Sequence, residues 1–74
     1  MKTAVGYPKI TTKNDKYNYA IVMIYTKSGG YRPIGWYGKI GLSATLCNAE
    51  KTMAYWSGYH EDRNLADFVI VELK

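Results

Sequence analysis

The chain has 74 residues and a net charge of +4, and hydrophobic residues make up 47% of it. This length allows one domain, residues 1–74, with a small core that oligomerisation or a partner often supplements. No apolar run reaches the roughly 18 residues of a membrane span, and no apolar stretch follows Met1 as a secretory signal requires. With Cys47 as its single cysteine the chain cannot form an internal disulfide, so we expect a cytoplasmic protein without a membrane partner.

Charge is unevenly distributed along the chain. Residues 1–41 carry seven lysines or arginines against one aspartate, whereas residues 42–74 carry three against five acidic residues. Six of the eight tyrosines also fall in the first part. A basic, aromatic-rich half suits an anionic partner such as nucleic acid. We favour the alternative, a solvated sheet edged by lysines, because edge lysines are an ordinary protection against aggregation.

The chain begins with a short predicted strand and a loop. Residues 3–7 predict a strand that Pro8 restricts to an edge, because proline cannot donate a ladder hydrogen bond. Residues 11–16 are polar and predict a solvated loop. Residues 17–27 predict the central strand, because both of its alternating faces are apolar in the middle.

A hairpin follows the central strand. Residues 28–30 (Ser-Gly-Gly) predict its turn, since glycine adopts the positive φ of a tight reversal. Residues 31–40 predict the returning strand, with Pro33 at an edge or a bulge. Gly35 and Gly38 weaken regular pairing and indicate a bulge or twist there.

Residues 45–58 are the only segment with helical periodicity and two marked ends. Thr45 is the predicted N-cap and Gly58 the predicted C-terminal stop. The apolar face of the helix consists of Leu46, Ala49, Met53 and Trp56.

The polar connection 59–66 leads to a last strand, residues 67–73. The order (β)ββαβ predicts an α+β fold, in which one helix packs on one face of a small antiparallel sheet of three to four strands. We expect the core beneath the helix to contain Val69, Val71, Met53, Leu46 and one face of the central strand. The second face must be covered by the N-terminal segment, a second copy of the chain or a target.

Few residues of catalytic type are present. His60, Glu61 and Asp62 are adjacent, and we favour an exposed turn over an acid–base or metal role, because a metal needs further ligands. A nucleophilic Cys47 would need a base, and His60 is the only histidine. The glycines lack the strand–loop–helix context of a phosphate site. We therefore expect no enzyme, no catalytic residue, no metal site and no cofactor.

Aromatic and basic residues give the best functional signal. Aromatic rings on a sheet can stack bases, but tyrosine, tryptophan and arginine also dominate protein–protein hot spots. We expect Trp36 and Arg32 to be hot spots, and Tyr55 with residues 59–63 to be the interface if the hairpin is only scaffold. The predicted binding residues are Tyr31, Arg32, Trp36, Tyr37, Lys39, Tyr19 and Lys27.

A hairpin leading into the helix TLCNAEKTMAYW, followed by the closing strand DFVIVEL, resembles small phage-encoded inhibitors of host defences, including anti-CRISPR proteins. The resemblance covers most of the chain and shares no motif, so no functional residue is carried over. It implies a non-catalytic inhibitor in the host cytoplasm whose partner is a nuclease or a nucleoprotein complex. Two alternative functions stay open: nucleic-acid binding through a basic, aromatic sheet face, and a small enzyme using Cys47 or His60. A homodimer also stays open as the oligomeric state.

Overall fold

The computed structural model describes the backbone of residues 1–36 and 39–74 and, within these, every side chain except those of Trp36 and Lys39. Over these residues the chain forms strands and a single helix, and the predicted α+β class is confirmed. The elements are β1 (Lys2–Ala4), β2 (Tyr7–Thr12), β3 (Tyr19–Tyr25), β4 (Tyr31–Pro33), β5 (Gly35–Trp36), β6 (Lys39–Ile40), β7 (Leu42–Ser43), α1 (Leu46–Tyr59) and β8 (Ala66–Glu72).

Strand β3 is the centre of the main sheet, which has four strands. β8 pairs antiparallel with its whole length, from Tyr19 opposite Glu72 to Tyr25 opposite Ala66. On the other side β4 pairs with residues 22–24 of β3, and β7 pairs with residues 19–20. The predicted central strand is therefore correct in place, although it is two residues shorter at each end than residues 17–27.

The chain leaves the sheet between β4 and β7, so the prediction of one returning strand over residues 31–40 is wrong. The Ile34 N–H donates to the Ile21 carbonyl at 2.9 Å, and the Ile21 N–H donates to the Gly41 carbonyl at 3.2 Å. The Gly41 N–H then donates to the Ile34 carbonyl at 2.8 Å and closes the base of the excursion. Because Ile34 points its N–H at β3, the nitrogen of Pro33 points away from it, and proline is tolerated on this outer strand.

The N-terminal segment forms a hairpin of its own, β1 with β2. Gly6 lies between these strands at φ 84°, a left-handed value that a glycine adopts without a steric penalty. The predicted strand over residues 3–7 and the loop over residues 11–16 are corrected accordingly, since β2 continues through Pro8 to Thr12. Pro8 and its neighbour Lys9 are exposed there.

Apolar side chains pack on both faces of the sheet, because α1 covers one face and the β1–β2 hairpin covers the other. The helix-side core consists of Ile21, Met23, Ile34 and Ala66, packed against Tyr25, Met53, Trp56, Phe68 and Ile70. The hairpin-side core consists of Ala4, Ile10, Ala20, Val22 and Leu73, packed against Tyr7, Tyr17, Ile24, Tyr31, Leu42, Val69 and Val71. Of the three covers expected for the second face, the N-terminal segment is the one observed.

The prediction that Val69 and Val71 lie beneath the helix is wrong. Val69 is opposite Val22 in the ladder, and directly paired residues of antiparallel strands share a face, so both lie on the hairpin side. Tyr17 also packs on the hairpin side, because it precedes β3 and does not follow the alternation of that strand. Met53 packs in the helix-side core as expected.

The start of α1 is confirmed, but its end is not where the sequence predicts it. The Thr45 hydroxyl accepts a hydrogen bond from the Asn48 N–H at 3.2 Å, as an N-cap does. The helix then runs past Gly58 to a cap at His60, whose N–H still donates to the Trp56 carbonyl. Leu46 is 46% exposed and is not a core residue, whereas Ala49 on the same predicted face is completely buried.

Two isoleucines of the same excursion test how far the core extends. Ile34 is fully buried, whereas Ile40 is 58% exposed. We expect Ile34→Ala to lower the free energy of unfolding by about 2–4 kcal/mol, because it removes packed methyl groups and leaves a cavity. The matched variant Ile40→Ala should stay within about 0.5 kcal/mol of the parent. Urea denaturation measures the free energy of unfolding of both variants. A loss in Ile34→Ala no larger than the loss in Ile40→Ala would contradict the prediction.

Candidate functional site

The predicted binding residues do not form one cluster. Tyr31 is half-buried on the hairpin side, where its ring packs edge-on against Tyr7 with centroids 4.8 Å apart. Its hydroxyl accepts a hydrogen bond from the Lys9 N–H at 3.4 Å. Arg32, the next residue, is opposite Met23 in the ladder and lies on the helix side. Tyr31 therefore belongs to the packing of the hairpin layer, and the sheet separates it from Arg32.

The other predicted residues lie apart from these. Tyr19 is half-buried at the start of β3, between Ser43 and Glu72, and Lys27 is exposed in the turn after β3. Trp36 and Lys39 face each other as backbone partners in the small β5–β6 ladder. Their side chains and all of Tyr37 lie outside the described residues.

Arg32 contacts a loop that is distant in sequence. The Asp62 Oδ2 accepts a hydrogen bond from the Tyr25 hydroxyl at 2.7 Å and forms an ion pair with the Arg32 Nη2 at 3.2 Å. The guanidinium also lies over the Tyr25 ring, 5.7 Å from its centroid, in the arrangement of a cation–π contact. One carboxylate thus ties β3, β4 and the loop of residues 61–65 together.

The environment of Tyr25 changes its acidity. Partial burial raises the pKa of the Tyr25 hydroxyl above its usual value of 10.0, and the hydrogen bond to Asp62 raises it further. The Arg32 charge acts in the opposite direction and lowers it. Because the net shift is upward, the folded chain favours the neutral phenol, which is the form that donates to Asp62.

His60 holds the loop from inside, and the prediction of an exposed turn at this residue is wrong. Only 5% of the residue is exposed, and its Nδ1 accepts a hydrogen bond from the Asp62 N–H at 3.1 Å. Its carbonyl accepts from the Arg63 N–H at 3.1 Å and from the Arg63 Nη1 at 3.0 Å. Its ring lies edge-on to Trp56 and Phe68, with centroids 6.2 and 6.1 Å away. The histidine therefore fixes the backbone that presents the Asp62 carboxylate.

The last turns of α1 expose two tyrosines whose rings are in contact, tilted by 36° to each other. Tyr55 is 54% exposed and Tyr59 is 69% exposed, and their ring centroids are 4.9 Å apart. Tyr55 also packs edge-on against Trp56 at 5.0 Å. Tyr59 precedes Asp62 by three residues, so the chain leads from these rings directly into the loop that carries the Arg32–Asp62 pair. We call Arg32, Tyr55, Tyr59 and Asp62 the loop-end surface.

The sequence predicts two alternative interfaces, one containing the hairpin residue Arg32 and one containing Tyr55 with residues 59–63. The ion pair between Arg32 and Asp62 joins them. The spacing of Tyr55 and Tyr59 by four residues on a predicted helix could have indicated their stacking. No sequence signal connects Asp62 to Tyr25, because the two residues are 37 positions apart and meet only through the pairing of β8 with β3.

The arrangement separates the two residues considered for nucleophilic catalysis. Cys47 is exposed in the first turn of α1, and His60 follows the last turn. Thirteen helical steps correspond to about 20 Å, which is far beyond the reach of a hydrogen bond between thiol and imidazole. No cluster of three or more His, Cys, Asp or Glu residues suited to a metal ion occurs among residues 1–36 and 39–74.

The Lys2 ammonium is engaged in structural contacts. The Lys2 ammonium donates to the carbonyls of Asp15 and Tyr17 and to the Asn18 Oδ1, at 2.8, 3.1 and 2.7 Å. These bonds fasten the loop before β3 to β1.

Among the residues that the structure describes, none of the helical segments has the length and apolar character of a membrane span.

Comparison of the chain with known protein families, with curated proteins and with solved structures found no match.

Removing the charge of Asp62 tests the link to Tyr25. We expect Asp62→Asn to lower the pKa of the Tyr25 hydroxyl toward 10.0, because the carboxylate that favours the neutral phenol is lost while Arg32 remains. Tyrosine-labelled carbon NMR follows the titration, with Tyr25→Phe identifying the signal. Glu61→Gln is the matched control, since it removes an exposed neighbouring charge. An equal shift in both variants would contradict a specific contact.

The same shift predicts a loss of stability in alkali. A phenol with a raised pKa in the folded state contributes stability that is complete below the pKa of the unfolded chain and is lost as the pH rises through the folded value. The parent should therefore lose stability as the pH rises above 10.0 more steeply than Tyr25→Phe does. Parallel unfolding curves across that range would show that Tyr25 is not responsible.

Proposed function

We propose that the protein is a non-enzymatic inhibitor that acts by contact with a protein target, and that this target is a host nuclease or a CRISPR-type nucleoprotein complex. The observation that carries the binding role is the loop-end surface, which combines two exposed tyrosines with an arginine oriented by Asp62. The choice of target rests on the resemblance to phage-encoded defence inhibitors. On this proposal the protein is phage-encoded and acts in the host cytoplasm.

The composition of the loop-end surface supports a protein partner. Tyrosine and arginine are enriched in binding hot spots, since each combines a large apolar contact area with polar groups. Tyr55 and Tyr59 have only two side-chain torsions each, and their stacking limits that freedom further. Arg32 is oriented by Asp62 before any partner arrives. A surface that is already ordered loses less conformational entropy on binding.

Nucleic-acid binding through a sheet face is the alternative, and the packing argues against it. Base stacking on a sheet needs exposed rings, but α1 covers one face and the β1–β2 hairpin covers the other. Tyr31 is packed against Tyr7 within the hairpin layer. Arg32 is paired with a carboxylate, and Glu61 adds a second negative charge beside it. These charges weaken the attraction of this region for phosphates.

Reconstituted nuclease complexes provide the test. Purified protein is titrated into a panel of guide-RNA–nuclease complexes, and binding and cleavage of target DNA are both measured. We expect inhibition of at least one complex, with Tyr59→Ala and Arg32→Ala each costing on the order of 2 kcal/mol of binding. Circular dichroism confirms that the variants are folded. No binding to any complex would remove the choice of target, while the surface could still be tested on another partner.

Leu46→Ala is the matched control, because Leu46 is a large exposed side chain at the opposite end of the same helix. It should bind as tightly as the parent. If it weakens binding as much as Tyr59→Ala does, the loop-end surface is not the interface. Trp36→Ala is measured beside these variants, since the expectation of a hot spot at Trp36 stays a prediction.

The nucleic-acid alternative has its own measurement, the affinity for naked DNA and RNA as a function of salt. We expect weak binding that is lost by physiological salt and that Arg32→Ala leaves unchanged, because Arg32 is paired with Asp62. Tight binding with a steep salt dependence would favour the alternative over the protein target.

A further inference from the structure

The outer edge of β8 is paired at only one end. The Leu73 N–H donates to the Asn18 carbonyl at 2.8 Å, so Leu73 directs its backbone groups toward the β3 side of the ladder. Backbone groups alternate along an antiparallel strand, and those of Glu72, Ile70 and Phe68 consequently point outward. The Glu72 carbonyl confirms this direction, because it accepts from the Val5 N–H at 2.9 Å.

β1 covers the outer edge only at residues 72–74. Lys74 exchanges two backbone hydrogen bonds with Thr3, at 2.8 and 3.0 Å, and Ala4 forms a bridge with Leu73. Gly6, at φ 84°, then turns the chain away into β2. Among the residues that the structure describes, no strand pairs with the outer edge of β8 over residues 66–70.

This open edge lacks the protection that other edges of the molecule have. β4 is three residues long and contains Pro33, and β2 carries Pro8 and Lys9. β8 has seven residues in unbroken register with β3, and its sequence ADFVIVE contains no proline, lysine or glycine. A long, regular, apolar edge is a template for another strand unless something covers it. The described chain supplies a cover only at residues 72–74.

A groove lies on the hairpin side at the covered end of this edge. It has a volume of about 320 Å³ and is lined by Val5, Val71, Glu72 and Lys74. Val5 is 53% exposed there. Asp67 is exposed and shares the face of Val71, because both pair with even-numbered residues of β3. The edge therefore has a groove lined by two valines, a glutamate and a lysine at its covered end and an aspartate at its open end.

We propose that residues 66–70 of β8 bind an extended segment of a partner protein, which adds as an antiparallel strand in line with β1 and carries lysine or arginine beside apolar residues. Main-chain hydrogen bonds to Phe68 and Ile70 would give affinity, and the Val5–Val71 groove and Asp67 would select side chains. A second copy of the chain fits less well, because antiparallel pairing of residues 66–70 with themselves would bring two Asp67 carboxylates close together on one face. This site is separate from the loop-end surface.

The probe is a short blocked peptide in which lysine and valine take turns at every second position and threonine fills the positions between, so that lysine and valine share one face of the added strand. The peptide control has glutamate in place of each lysine. Binding is measured by calorimetry, and amide hydrogen exchange by NMR. We expect the lysine peptide to bind and to protect the amides of Phe68 and Ile70, which lack ladder partners in the free chain. Asp67→Lys should weaken its binding about tenfold, because attraction becomes repulsion.

Glu50→Lys is the matched variant, since it makes the same charge change at an exposed position on α1. It should bind the lysine peptide as the parent does. Three outcomes would overturn the proposal: equal losses in both variants, bound peptide without protection of the two amides, or a dimer of the free chain in sedimentation that Asp67→Lys alters. If this proposal fails, the proposed role of the loop-end surface is unaffected, because the nuclease assay uses neither the peptide nor Asp67.

Discussion

Burial of β3 on both faces is the constraint from which the rest of the structure follows. Residues 20–23 are completely inaccessible to solvent, and their side chains alternate between the two cores. A strand of this kind cannot be stable in a single layer, because its second face would expose contiguous apolar surface. The surrounding elements meet this demand: β8 lies along one side, β4 with β7 along the other, α1 above and the β1–β2 hairpin below.

The sequence was sufficient to predict β3, the N-cap of α1 and the α+β class, because these depend on local patterns. It was insufficient for the sidedness of β8, whose Phe68 and Ile70 are as apolar as Val69 and Val71. Only the pairing of Val69 with Val22 decides which set faces the helix. Register is a tertiary property that a strand with two apolar faces does not specify by itself. β2 was missed for a related reason, since its polar residues face solvent and its apolar contacts are few.

The candidate site shows the same division between local and distant information. The types of residue at the loop-end surface could be predicted. The contact between the Tyr55 and Tyr59 rings could also be predicted, because the two residues are four apart on a helix. Their union with Arg32 could not, because it depends on one carboxylate that bridges elements far apart in sequence. His60 was misjudged because its neighbours are polar. In the fold its ring lies between Trp56 and Phe68. Its Nδ1 accepts the hydrogen bond that the Asp62 N–H of the loop donates.

The hydrogen bond between Gly41 and Ile34 fixes the base of the segment between them, in which residues 35–36 and 39–40 form a ladder of their own. Because the base completes the ladder of β3, the number of residues beyond it does not alter the sheet. Closing a longer loop on a fixed base costs only about 0.6 kcal/mol for each doubling of its length. Homologous chains can therefore differ in length and composition at this point while they keep the same framework.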